Sequence, residues 1–340
     1  MGNAASGADG MTSLERAGGG GSAITAAALR RRLRDQPIIP LLLLLALLVV
    51  ALQLTRPGMV GPDWAANTIR FAVPLAILAA CQTLTMLTGG IDLSAASIAS
   101  MSAYIIATQS PEHGALAAIL IALAVCAVAG AVNGIGVGIF RVHPLIMTLG
   151  MSLIVLGVVT VYQRFVVAVG ARTPDAVAWL GGGNTGGIPN SLLLFLPLAA
   201  LIILGLRRSG YGRLLYAVGD NEVAARLSGV KVSRVILVLY VVSGVLAGLA
   251  GMIFTGVTNS ASATLADRSL LPSVAAAVIG GTSIFGGRGG YSGTIVGALI
   301  LTVLSGLLTV IQMPEPVRQI LFGIIILAVA AAYTRLTEES

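Results

Sequence analysis

A single carboxylate, Asp92, stands alone between Asp63 and Glu112, with uncharged residues filling 71–91 before it and 93–111 after it. An ionisable group in such apolar surroundings is a functional hypothesis by default, here a place on a solute pathway. A plainer role competes. Asp92 immediately precedes Leu93-Ser94-Ala95-Ala96-Ser97, and an Asp at that place can cap the free N–H groups of the next helix. Capping explains the position more simply. Upstream, Gln82, Thr85 and Thr88 recur every three residues, which sets them on one stripe of a helix. That stripe can offer hydrogen bonds to a passing polyol or bind a neighbouring helix, and the second reading is favoured. Asn133, His143 and Gln163 are isolated polar residues for which ligand and packing roles are equally open, and Asn133 stays among the pathway candidates. His143 lies beside Arg141, which suits a loop-facing histidine better than a proton relay.

No catalytic constellation accompanies these residues. His113 and His143 are far apart, and Cys81 and Cys126 lie inside apolar stretches at a spacing that gives no metal site or disulfide framework. The phosphate-loop pattern G-x-x-x-x-G-K-[ST] is absent, and Gly286-Gly287-Arg288-Gly289-Gly290, lacking its lysine, reads as a tight helix-to-helix turn. No catalytic residue, metal or cofactor is expected.

The elements that hold these residues are set by where charge is missing. Ten stretches of at least sixteen residues carry no Asp, Glu, Lys or Arg: 36–55, 71–91, 93–111, 113–140, 142–163, 176–206, 235–266, 269–287, 289–314 and 319–334. A soluble helix needs a wet face, whereas an apolar run of roughly 18 residues spans a bilayer. The expected fold is all-α: a polytopic integral membrane protein of about ten transmembrane helices. Segments 89–97 and 280–291 are Gly-rich and are either plain loops or re-entrant. Composition agrees, with 10% charged residues where a soluble protein carries about 25%. The 43 glycines fit helices that approach each other closely.

With the N-terminus inside and ten crossings, 14 of the 20 Lys and Arg residues fall in the cytoplasm and six outside, as the positive-inside rule requires. The net charge of +7 is thus read as topology and not as nucleic-acid binding. Both termini are expected in the cytoplasm. Residues 1–35 read as a disordered tail with a basic run at 30–34, 36–335 as the transmembrane domain, and 336–340 as a short C-terminal tail. Met1–Ser6 matches a myristoylation pattern that is redundant beside so many spans.

Two segments lie outside the membrane. The external one, 164–190, ends in Gly181-Gly182-Gly183-Asn184-Thr185-Gly186-Gly187-Ile188-Pro189-Asn190, a turn-forming run that is either a lid, a docking surface or a passive connection. The internal one, 207–234, is the most charged part of the chain. Within it, 220–229 predicts a short amphipathic helix. Asp220 or Asn221 caps it, Glu222 and Arg226 pair four apart, and Gly229 stops it. Such a helix either presses into a partner's groove or is a solvated connector.

Four ordered stretches carry a family resemblance. They are Thr88-Gly89-Gly90-Ile91-Asp92-Leu93-Ser94; Asn133-Gly134 with Arg141-Val142-His143-Pro144-Leu145-Ile146-Met147-Thr148-Leu149-Gly150; Gly212-Arg213 with Tyr216 to Val230; and Gly280-Gly281-Thr282-Ser283-Ile284-Phe285-Gly286-Gly287-Arg288-Gly289. Over roughly 36–335 the chain resembles the permease subunits of ribose-type sugar ABC importers. Two departures stand out: His143 replaces a proline or small residue, and Asp220 interrupts a Gly-Gly-Asn run. The resemblance implies import of a sugar (a pentose, hexose or related polyol) across the bacterial inner membrane. It implies a second permease subunit (a copy or a paralogue), a cytoplasmic ATP-binding subunit and a periplasmic sugar-binding protein. Coupling to the ATPase would run through 212–230, on Gly219, Asp220, Asn221, Glu222, Ala225, Arg226 and Gly229. A secondary transporter or channel is the alternative, but it would need an intramembrane relay for which only Asp92 qualifies. A membrane-embedded enzyme lacks its reactive cluster.

Overall fold

The computed structural model describes residues 38–166 and 172–338. The expected tail 1–35, with its Met1–Ser6 pattern and basic run, lies outside the described residues, as do residues 339–340 of the expected C-terminal tail.

Apolar, uncharged stretches leave the backbone no partner but itself, and the chain is helical accordingly. In order it forms α1 (Ile38–Thr55), α2 (Pro62–Met86), α3 (Ala95–His113), α4 (Ala115–Gly138), α5 (Pro144–Val166), α6 (Asp175–Gly182), α7 (Leu192–Arg208), α8 (Gly210–Asp220), α9 (Glu222–Leu227), α10 (Val232–Thr258), α11 (Leu270–Ile279), α12 (Tyr291–Val310) and α13 (Glu315–Glu338). One hairpin, β1 (Asn184–Thr185) and β2 (Ile188–Pro189), pairs antiparallel. In α1 only Leu52 is buried, so a helix apolar all round turns its leucines outward, where lipid is the fitting solvent.

The hub is α10, which packs on α2, α3, α4 and α6, while α12 joins α11, α1 and α2 into a second group. Small residues make the central contact. Gly130, Gly134 and Gly138 recur every four residues on α4 and face α10; a Cβ on Gly130 would stand 2.2 Å from the Tyr240 carbonyl oxygen. Gly244 answers from α10, where a Cβ would stand 2.3 Å from the Cys126 oxygen. This small-xxx-small face is where the abundant glycine is spent, since membrane helices associate through close packing and not through the hydrophobic effect.

Among the described residues, six helices (α1, α2, α4, α5, α10 and α12) are long and apolar enough to cross a membrane, or seven if the bent pair α7–α8 is one span. The expected ten crossings are not confirmed as a number. Ser97, Ser100, Ser102 and Thr108 make α3 the polar one, yet all four are buried among its neighbours. Ser97 shares a 2.7 Å hydrogen bond with Ser152, and Ser102 donates to the Gly248 oxygen at 2.8 Å. The uncharged run 269–287 is not one helix throughout. Its helix, α11, has ten residues, about 15 Å, which is half of a hydrocarbon core of about 30 Å. It ends because Gly280 is pressed on α12, where a Cβ would lie 2.4 Å from the Thr294 nitrogen, and Gly281 turns with φ +89°.

Segment 164–190 is fastened down where it is described. Helix α6 lies on the far end of α10, so that a Cβ on Gly256 would stand 2.3 Å from the Val177 oxygen. The Asn190 amide donates to the Trp179 oxygen at 3.0 Å and accepts from the Thr185 hydroxyl at 2.7 Å, closing the hairpin.

Candidate functional site

After α2 the chain doubles back on itself. The Gln82 side chain donates to the Asp92 backbone oxygen at 2.8 Å and accepts from the Asp92 N–H at 3.2 Å, holding both backbone polar groups of that residue. Asp92 Oδ1 accepts from the Ser94 N–H at 3.0 Å and the Ser94 hydroxyl at 2.6 Å, and Oδ2 accepts from the Ser243 hydroxyl at 2.8 Å. Ser94, not Asp92, holds the N-cap position of α3. Asp92 stands two residues earlier and fixes the capping residue, a displacement of the expected role that the short-range Asp–Ser turn explains.

The network goes on across the bundle. The Asn133 amide donates to the Ser94 hydroxyl oxygen at 2.8 Å, while its own Oδ1 has no partner among the described residues. Thr148 of α5 donates to the Ile91 oxygen at 3.2 Å and accepts from the Leu93 N–H at 3.1 Å. Gln82, Asp92, Asn133, Thr148 and Ser243 are all buried, so α2, α3, α4, α5 and α10 share one polar knot. Ser243 lies eleven residues along α10 from Val232, about 17 Å, which sets the knot inside the helical layer. Thr85 and Thr88 are outside it. Thr85 donates to the Cys81 oxygen at 2.9 Å and Thr88 to the Thr85 oxygen at 3.0 Å, within their own turn. His143 is exposed, and Gln163 half-buried.

Asp92→Asn is expected to keep most of the folded protein, because an amide oxygen still accepts from Ser94 and the Ser243 hydroxyl can turn to accept. Asp92→Leu leaves three buried donors without an acceptor, at about 1–3 kcal/mol each, well beyond a simple cap. Thermal midpoints and yields in detergent check this: equal losses for both variants would show that the charge, not the acceptor geometry, matters.

At the charged end, Ser209 breaks the α7–α8 pair by 67°, its hydroxyl accepting from the Gly212 N–H at 2.9 Å. Of the two expected caps, Asn221 caps α9, accepting from the Ala224 N–H at 2.9 Å, and Asp220 closes α8. Glu222 and Arg226 pair on the surface. Gly229, φ +84°, donates to the Arg226 oxygen at 3.0 Å and Val230 to the Ala225 oxygen at 3.1 Å, a complete Schellman stop. Ala225 is buried and anchors the helix. Val223 and Leu227, one turn apart, are 69% and 85% exposed. The sequence reading passed over this pair, although its spacing of four opposite the inward Ala225 was there to be seen.

Gly219 joins this end to the knot. A Cβ there would stand 1.7 Å from the Leu87 oxygen and 2.6 Å from the Gly287 nitrogen. The Gly287 N–H donates to the Leu87 oxygen at 3.0 Å, and the Tyr216 hydroxyl to the Gly289 oxygen at 2.9 Å. A Cβ on Gly90 would meet Pro144 and the Tyr240 hydroxyl at 3.2 Å. Four stretches far apart in sequence thus pack as one body. Beside it opens a groove of about 590 Å³ lined by Thr88, Arg141, His143, Glu222, Arg226 and Lys231, among others.

Comparison with known proteins gives the family. Residues 64–330 match the family described as "Branched-chain amino acid transport system / permease component". The chain is 38% identical over 257 residues to the Ribose import permease protein RbsC of Escherichia coli (strain K12), covering 74% of this chain and 79% of that one. It is 32% identical over 282 residues to RbsC of Bacillus subtilis (strain 168), covering 83% and 88%. To the Fructose import permease protein FrcC of Rhizobium meliloti it is 32% identical over 299 residues, covering 84% and 83%. No solved structure matches. The matched span holds the knot, the close contact at Gly219 and all but α1 of the six described helices that are long and apolar enough to cross, and the chain belongs to this permease-component family.

Proposed function

We propose that the chain is the membrane-spanning subunit of an ATP-driven importer that moves a sugar (a pentose, hexose or related polyol) delivered by a periplasmic binding protein. One observation carries the reading: α9 is capped at both ends, held by Ala225, and shows Val223 and Leu227 to solvent. A short rigid helix with an exposed apolar pair is shaped for a partner's groove. The partner is an ATP-binding subunit, reached through 212–230, and a second permease subunit completes the pathway. The names of the ribose and fructose relatives support a sugar as the solute. Gln82, Asp92 and Asn133 then serve as the joint that holds the pathway helices in register, with Thr85 and Thr88 supporting the same turn. Against a secondary transporter stands the state of Asp92: three hydroxyl and amide donors hold it, and no other ionisable side chain bonds to it among the described residues.

Reconstitution tests the reading. Vesicles holding this subunit and its ATP-binding partner should take up ribose or fructose only with ATP inside and a loaded binding protein outside. Uptake driven by a proton or sodium gradient without the ATP-binding subunit would establish the alternative. The direction of insertion follows from the basic excess: 207–234 inside, 164–190 outside, both termini inside. In a background without Cys81 and Cys126, Asn184→Cys should react with an impermeant thiol reagent on intact cells and Ser209→Cys should not; the reverse pattern would invert the topology.

A further inference from the structure

After α10 the chain turns back into the bundle. Residues 259–266 are irregular backbone, followed by a 3₁₀ turn, Asp267–Ser269, that leads into α11. The contacts of this turn give its depth. The Ala266 N–H donates to the Ser100 hydroxyl oxygen at 3.0 Å. Ser100 lies thirteen residues before His113, about 20 Å from that end of α3. Its neighbour Ala99 meets Gly251, where a Cβ would stand 1.9 Å from the Ala99 oxygen. Gly251 is seven residues, about 10 Å, short of the end of α10 at Thr258. On the other side Gly280 meets Thr294 and Ala276 meets Gly297, so α11 runs antiparallel to α12. Leu270 then falls about 10 Å short of Val310, the end of a helix about 30 Å long. The turn therefore sits about 10 Å inside the layer, well within a hydrocarbon core of about 30 Å.

Ala266 is buried, while the next two side chains, Asp267 and Arg268, are exposed. Neither forms an ion pair among the described residues. Irregular backbone and open charge at this depth belong inside protein or beside water, not against lipid tails. The protein interior lies behind the turn, at Ser100, so water is the fitting medium in front of it. We propose that this turn lines the solute pathway, with Asp267 and Arg268 binding the hydroxyl groups of a passing polyol. A carboxylate accepts from hydroxyls and a guanidinium donates to them, so neighbouring hydroxyls can engage both side chains at once. Gln82, Asp92 and Asn133, by contrast, are buried within the knot. The inference rests on the chain being a sugar importer and adds the residues that meet the sugar.

The test uses the full chain assembled with its ATP-binding subunit in vesicles, in the background without Cys81 and Cys126. Thr264→Cys, at an exposed position on the same loop, is treated with a small cationic methanethiosulfonate reagent. Leu47→Cys, at an outward position in the middle of α1, is the lipid-facing control. Thr264→Cys should react at least tenfold faster than the control. Labelling the assembled complex there should lower uptake of D-ribose or D-fructose at least tenfold. Asp267→Ala and Arg268→Ala should each assemble and lose uptake to the same extent, and Asp267→Glu should recover part of it. Labelling of Thr264→Cys no faster than the control would overturn the pathway, placing the turn against lipid or a second copy. Fast labelling with both alanine variants transporting at the unmodified rate would overturn the binding role. The labelling needs neither sugar nor ATP, so it reports on the turn separately from the importer. Uptake of L-leucine and of neither sugar by the unmodified complex would overturn the polyol and give the two charges to an amino-acid zwitterion.

Discussion

Gly219→Ala should abolish uptake and remove most of the folded protein from the membrane. One methyl group there would stand 1.7 Å from the Leu87 oxygen and 2.6 Å from the Gly287 nitrogen. Overpacking usually costs about 1–3 kcal/mol because side chains can rotate aside. Here the neighbours are backbone, so relief comes only by parting α8 from the turn after α2 and breaking the bond between Gly287 and Leu87. Gly306→Ala is the matched control. Gly306 lies within α12 with nothing within 4 Å of its Cβ, so alanine there should be neutral or stabilising by about 0.5–1 kcal/mol. Monodisperse yield, thermal midpoint and uptake decide the matter. A Gly219→Ala protein as stable and active as Gly306→Ala would mean that the three chains do not cross as described.

The second large effect separates coupling from folding. Leu227 is 85% exposed, so Leu227→Asp removes almost no contact within the chain. Glu222→Lys breaks a surface pair with Arg226 of a kind worth about 0.3–0.5 kcal/mol. Gly229→Pro is harsher locally, because φ +84° is closed to a ring fixed near −65° and the Schellman stop is lost. All three should insert normally, yet ATP-driven uptake should fall tenfold or more, since a docking face that meets the wrong charge or shape loses far more than the isolated helix does. Substrate-stimulated ATP hydrolysis and uptake are measured together on the assembled complex. Assembly with the ATPase and transport at the unmodified rate in all three variants would reduce α9 to a connector.

The sequence shows the helices because absent charge is a local signal, and it shows α9 because caps and a glycine stop are local too. It does not show where Leu87, Gly219 and Gly287 meet, since no periodicity spans such separations. The resemblance put four stretches in order along the chain without saying that they touch. The helix within 269–287 is shorter than the uncharged run predicts, because the run is broken by the contact of Gly280 with α12, a tertiary event. Asp92 was read as a cap because an acid before a helix usually is one. Its other oxygen serves Ser243, 151 residues away, which no local rule predicts. Ala225 was placed with the contact residues, and the fold turns it inward and leaves Val223 and Leu227 to face the water.

The crossing at Gly219 also orders the birth of the molecule. Synthesis proceeds from the N-terminus, so Leu87 and Gly219 both leave the ribosome well before Gly287. Until the last of these arrives, the Leu87 oxygen lacks the donor that seals it and the 212–230 segment has only one of its two walls. A nascent chain stopped short of residue 280 would carry most of its membrane helices and still present an unfinished joint. The seat beneath the surface on which a partner would dock is therefore completed only once Gly287 has been made.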